Sequence, residues 1–173
     1  MHLRIFMRQF HGLQLKDWLS LCNAACGVGA IFAAAQSYAI AAILVCVAAV
    51  FDYFDGKVAR GGAEGENEFG KHLDSLCDSV SFVVAPTIML LYVPVIGWIA
   101  LATAAAALLY AFAGVVRLAR YNLQDEKRIY AGLPVPIAAV LLVVAMPFAK
   151  EFAFVPAIAL GVLMASHLRI RKL

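Results

Sequence analysis

The sequence predicts an all-α integral membrane protein, with six transmembrane helices preceded by a short amphipathic helix lying on the membrane surface. Three observations predict it. First, 64% of the 173 residues are hydrophobic and only 14% are charged. A soluble domain is about one quarter charged, so this chain has too few polar groups to cover a water-facing globule. Second, the apolar stretches are continuous rather than alternating, which fits spanning helices of about 20 residues and not the strands of a closed barrel. Third, the basic residues alternate between connections in the manner of a multi-pass protein.

The six stretches run roughly 18–36, 38–60, 70–93, 96–120, 131–149 and 152–168. With the N-terminus inside and six crossings, thirteen of the fourteen Lys and Arg residues fall on the inner side, and only Lys150 falls outside. The positive-inside rule therefore places both termini on the cytoplasmic side. Ahead of the first span, Leu3, Phe6, Met7, Phe10 and Leu13 recur at helical spacing, with Arg4, Arg8, His11 and Lys16 elsewhere around the wheel. That pattern predicts the interfacial helix over residues 1–16. The run from Leu19 to Ala35 is longer than a signal-peptide core and carries Asn23 and Gly27, so it reads as a retained first span. No long linker or internal repeat divides the chain, which is expected to form one domain over 1–173, with the bundle at 18–168. The net charge of +3 and the lack of a basic patch exclude nucleic acid as a partner. Cys22, Cys26, Cys46 and Cys77 lie in apolar segments without a CxxC pair and read as packing residues.

Against this apolar background stand four aspartates. Asp52 and Asp55 are three apart at the end of the second span, and Asp74 and Asp78 are four apart at the start of the third. Both spacings place the pair on one helix face. Antiparallel neighbours joined by the short loop with Gly61, Gly62 and Gly65 bring all four together. Each aspartate opposes membrane insertion by roughly 2.5–3.5 kcal/mol at a helix centre, so four oppose it by about 10–14 kcal/mol, less near the interface. Packing alone does not justify that cost, whereas divalent cations would neutralise the cluster. Carboxylates without Cys or His suit Mg2+ or Mn2+, and the helical angle of His72 turns it away from Asp74 and Asp78. Gly56 permits close backbone approach, and Arg60 can fork hydrogen bonds to a phosphate. Two cations could then clamp a diphosphate.

The pattern from Asp52 to Asp78, D-x2-D-G-x2-A-R-x9-G-x3-D-x3-D, resembles the signature of the CDP-alcohol phosphotransferases, which are six-helix membrane enzymes. The usual gap between the arginine and the second glycine is about eight, and here it is nine. The resemblance implies that Asp52, Asp55 and Asp74 bind two divalent cations. It implies that Asp78 binds metal and also acts as general base, and that Gly56, Ala59, Arg60 and Gly70 line the CDP pocket. It also implies a homodimer. FGKHLDSLCDSVSFVVAP (69–86), RLARYN (117–122), GLPVP (132–136) and LSLCNAACG (19–27) further resemble the phosphatidylserine synthase branch of that family.

Each of these segments has a physical reading of its own. Arg117 and Arg120 share a face at the inner end of the fourth span, where they either bind an acceptor carboxylate or anchor the helix. Asn122 adds a polar contact or caps that helix. Gly132, Pro134 and Pro136 start the fifth helix. Ser20 and Asn23, one helical turn apart, either hydrogen-bond cytidine or pack against neighbouring helices.

The expected reaction transfers a phosphatidyl or archaetidyl group from CDP-diacylglycerol or CDP-archaeol to the hydroxyl of L-serine, releasing CMP at a cytoplasmic site. Direct displacement is expected, because no Ser, Cys or His in the motif is placed as a covalent nucleophile. Two other readings stand beside it: the same chemistry with glycerol phosphate or inositol phosphate as acceptor, and a cation transporter using the aspartates as a pathway.

Overall fold

A computed structural model describes residues 13–60, 68–123, 130–166 and 169–170. Helix α1 (Leu15–Ala34) starts three residues before the apolar run predicted it. The Gln14 N–H donates to Asp17 Oδ2 at 2.9 Å across the first turn, and this polar turn is invisible to hydropathy. Lys16, read from sequence as part of the surface helix, is therefore in the first spanning helix. Residues 1–12 of that expected surface helix lie outside the described residues.

Helix α2 (Tyr38–Arg60) runs back along α1. Helix α3 (Glu68–Leu91) is one rod of three parts: α-helix at Glu68–Asp78, a π-helical stretch at Ser79–Val84, and α-helix again at Ala85–Leu91. Helix α4 is Gly97–Leu123. Helix α5 (Val135–Ala149) continues into a short 3-10 turn at Lys150–Phe152, and α6 is Phe154–Ala165. A two-residue antiparallel pair, β1 (Tyr130–Ala131) with β2 (Arg169–Ile170), adds strand at the edges of the predicted spans, where the sequence announced none.

Two internal prolines are accommodated by the same device. Pro86 has no N–H to give the carbonyl of Phe82, four residues earlier. The hydroxyl of the buried Tyr110, on α4, donates to that carbonyl at 2.9 Å. Just upstream, the Ala85 N–H reaches back to Val80 O, the wider hydrogen bond of a π turn. Pro147 likewise frees the carbonyl of Val143 inside α5, and the hydroxyl of Tyr38 donates to it. A buried carbonyl without a donor costs about 1–3 kcal/mol, so each tyrosine offsets the defect that its proline creates.

The π stretch is drawn tightly onto α1. A Cβ on Gly27 would stand 2.6 Å from Ser81 Cα, so only glycine allows the two helices to approach this closely. Gly132 has a φ of +84° and turns the chain into α5, with its Cα against the carbonyls that end α6. The Leu133 N–H donates to Leu163 O at 3.3 Å, which ties that turn to α6.

The packed centre is apolar, with Phe82, Met89, Leu90, Tyr110, Leu142 and Val143 buried. The outside is apolar too: Phe32, Ile96, Trp98, Leu101, Phe112 and Phe148 are exposed, while Asp17, Ser20, Asn23, Asp55, Asp78 and Ser81 are buried. This inversion suits hydrocarbon as the solvent. Five helical stretches are long and apolar enough to cross a membrane: Leu15–Ala34, Tyr38–Val58, Glu68–Leu91, Gly97–Tyr121 and Val135–Phe152. The chain is a multi-pass, all-α integral membrane protein. Helix α6 has 12 residues, about 18 Å at 1.5 Å per residue, which falls short of the roughly 30 Å hydrocarbon core.

Candidate active site

The ends of α2 and α3 that flank the short 61–67 connection carry the aspartates. Asp52 and Asp55 sit in the last turns of α2, and Asp74 and Asp78 sit in the first turns of α3. Asp52, Asp74 and Asp78 each offer a carboxylate oxygen, and these oxygens lie within 4.8 Å of one another. Asp52 and Asp78 are within hydrogen-bonding reach of each other. Asp74 Oδ1 is buried and meets no donor among the described residues. Two carboxylates hold such contact only with a cation or proton between them, and the buried unbonded oxygen also calls for an electrophile. Three hard oxygen donors fit Mg2+ or Mn2+. This cluster can chelate one divalent ion.

Asp55 stands beside the three rather than within them. The charges of Asp74 and Asp52 act on it, and its carboxylate accepts hydrogen bonds from the Gly56 backbone and from Ser20 Oγ, the latter at 3.0 Å. Helix α1 lies against both aspartate-bearing helices and presents a polar stripe to them, with Asp17, Ser20 and Asn23 on its buried face. Asn23 Nδ2 donates to Asp78 Oδ1 at 2.9 Å, and Ser81 Oγ donates to the backbone carbonyl of Asn23 at 2.8 Å.

Sequence reasoning named Ser20 and Asn23 for a nucleotide, and the structure brings both onto aspartates. Gly70, named for the same pocket, is buried against α1. A Cβ there would come within 2.8 Å of Asp17 Oδ1 and 3.1 Å of Lys16 Cε. Gly56 lies beside Asp55, in the turn that follows it. The side chains of Ala59, Arg60 and Asn122 lie outside the described residues. Arg117 Nη2 donates to the Gly132 carbonyl at 3.4 Å, anchoring α4 to the turn before α5, and Arg120 is exposed. His72 is exposed. All four cysteines are free.

Sequence reasoning missed Lys16 and Asp17. Asp17 is only 1% exposed, and the Lys16 ammonium acts electrostatically on Asp74. A signal was available, because Asp17, Ser20 and Asn23 recur every third residue, a polar stripe that a membrane helix keeps only on a protein-facing side.

Fold and site together define a multi-pass helical membrane protein with a buried acidic centre that can chelate a divalent cation. A family profile described as CDP-alcohol phosphatidyltransferase matches residues 13–168, and the chain belongs to that family. It is similar to an archaetidylserine synthase of Methanothermobacter thermautotrophicus, at 38% identity over 75% of this chain and 56% of the relative. It is also similar to CDP-diacylglycerol–serine O-phosphatidyltransferases of Mycobacterium bovis, at 35% identity over 78% of this chain and 48% of the relative, and of Bacillus subtilis, at 30% identity over 90% and 85%. The chain thus spans about half the length of the first two relatives and most of the third.

Proposed function

We propose that the protein transfers the phosphatidyl or archaetidyl group of a CDP-activated lipid to the hydroxyl of L-serine, releasing CMP. One observation carries the reading: three carboxylates converge within 4.8 Å, at the positions of the family motif, in the membrane. The names of the relatives favour serine over a phosphorylated acceptor, and they favour either a diacylglycerol or an archaeol lipid.

Asp52, Asp74 and Asp78 would hold one divalent ion, and Asp55 with its neighbours a second. Bound ions would supply charge neutralisation to the diphosphate and to the departing phosphate oxygen. The chain's own residues do the rest. Asp78 takes the proton of the serine hydroxyl, as a carboxylate within reach of a nucleophile can. The serine oxygen forms a bond to the lipid-side phosphorus while the bond from that phosphorus to the oxygen of CMP breaks, so the electron pair leaves with CMP. Lys16, beside Asp74, supports the negative charge of the diphosphate, and Arg60 contributes a fork to it. Arg117 and Arg120 offer cations at the inner end of α4 for the acceptor carboxylate, and Asn122 a polar contact.

We further infer one domain, six crossings with α6 as the last, both termini and the site on the cytoplasmic side, and a homodimer. The basic residues support the orientation, because only Lys150 lies outside in this arrangement.

The test is an acceptor panel. Purified protein in nanodiscs receives CDP-diacylglycerol or CDP-archaeol, Mn2+ or Mg2+, and serine, glycerol 3-phosphate or inositol phosphate in turn. The reading expects CMP with serine. CMP release with a phosphorylated acceptor and none with serine would overturn it.

A further inference from the structure

Ser20 and Asn23 are one turn apart on α1, yet they bond to aspartates on two different helices: Ser20 to Asp55 of α2 and Asn23 to Asp78 of α3. Both side chains are buried, Asn23 completely. The geometry at Asn23 argues against a packing role. Its Oδ1 is buried and meets no donor among the described residues, so Nδ2 to Asp78 is the single side-chain bond described for this amide. An unbonded buried carbonyl costs about 1–3 kcal/mol, and an apolar side chain there would carry no such cost. The backbone beneath the amide is fixed as well, because Ser81 Oγ holds the Asn23 carbonyl and Gly27 lets α3 close onto α1 one turn later.

We propose that α1 is the orienting helix of the acidic centre. Asn23 fixes the rotation of Asp78 and Ser20 that of Asp55, each by binding one carboxylate oxygen and leaving the other for the cation. This rests on the metal-dependent reading above. Asn23 and Ser20 are positioning residues that act through the two aspartates. Groups that orient ligating carboxylates typically carry a 10–100-fold effect on metal affinity or activity when removed, about the scale expected here. The same reasoning accounts for the close spacing of Ser20 and Asn23: helices α2 and α3 run antiparallel with their aspartates at one level, so one turn of α1 reaches both.

The experiment measures Mn2+ binding without any CDP-lipid, by the loss of the free-ion electron paramagnetic resonance signal, on purified protein in nanodiscs. CMP-release kinetics are run in parallel. Wild type is compared with Asn23→Leu, Ser20→Ala and Ser81→Ala. The proposal expects Asn23→Leu to weaken Mn2+ binding about 10–100-fold and to lower kcat, with the KM for CDP-lipid at saturating Mn2+ unchanged. Ser20→Ala shifts binding in the same direction. Ser81→Ala loosens the same helix contact without touching a carboxylate and weakens Mn2+ binding less than Asn23→Leu does. Three results overturn the proposal: unchanged Mn2+ affinity in both Asn23→Leu and Ser20→Ala, a raised KM for CDP-lipid with wild-type Mn2+ binding, as a nucleotide contact would give, or an equal loss in Ser81→Ala, as packing would give. If Asn23→Leu does not fold, Ser20→Ala, which removes a single hydroxyl, decides alone. Wild type that binds no Mn2+ would instead remove the metal-dependent reading itself, and the proposal with it.

Discussion

Replacing Asp74 with asparagine removes one charge from a cluster that repels itself. Unit charges 4.8 Å apart, the outer limit of the spacing here, repel by about 3.5 kcal/mol at an effective dielectric of about 20. Three such pairs amount to about 10 kcal/mol, comparable with the whole stability of an ordinary domain, about 5–15 kcal/mol. Asp74→Asn removes two of the three pairs, about 7 kcal/mol. Closer oxygens raise that figure and any proton shared between carboxyls lowers it. The variant should therefore behave in opposite ways with and without metal. In EDTA its thermal midpoint rises above that of wild type. With Mn2+ added, wild type gains stability by mass action, whereas the variant gains little, and its CMP release falls by more than about 100-fold, beyond the usual cost of losing a ligand's hydrogen-bonding partner. Thermal unfolding in detergent with EDTA or Mn2+ reads the first two effects, and CMP detection the third. A midpoint in EDTA below that of wild type, or an undiminished Mn2+ shift, would refute the electrostatic reasoning.

Tyr110→Phe should lower stability by about 1–3 kcal/mol, because the carbonyl freed by Pro86 loses its donor; a denaturation midpoint equal to that of wild type would contradict the account of the π stretch. Gly27→Ala places a methyl 2.6 Å from the Ser81 backbone and should cost about 1–3 kcal/mol or more, with a loss of CMP release that low temperature does not restore. Lys16→Met removes the cation acting on Asp74. It should tighten Mn2+ binding while raising the KM for CDP-lipid, and the reverse pair of changes would sink the role given to Lys16.

Much of this was legible in the sequence because it depends on local pattern. Helices α2 and α4 follow from continuous apolar runs, and spacing on consecutive antiparallel helices predicted that all four aspartates meet, whereas Asp52, Asp74 and Asp78 converge and Asp55 stands beside them. What escaped depends on tertiary contact. The start of α1 was placed late because Lys16 and Asp17 lower hydropathy, although Asp17 closes the first turn. The π stretch was invisible because it rests on a tyrosine from another helix meeting a carbonyl that Pro86 leaves free. Spacing put Ser20 and Asn23 on one face, but only the packing of α1 against α2 and α3 decided that this face meets aspartates. The β1–β2 pair joins segments about forty residues apart, with no alternating run at either end to announce it.

The central claim is that these carboxylates run a serine-dependent displacement, with Asp78 accepting the proton. The most direct measurement is CMP released from a CDP-lipid by purified wild type and Asp78→Asn, with and without serine and Mn2+. The account predicts CMP from wild type only when both serine and the cation are present. It predicts none from Asp78→Asn, although that variant remains folded and monodisperse. Release by Asp78→Asn at the wild-type rate, or cation flux through liposomes by a wild type that releases no CMP, would contradict it.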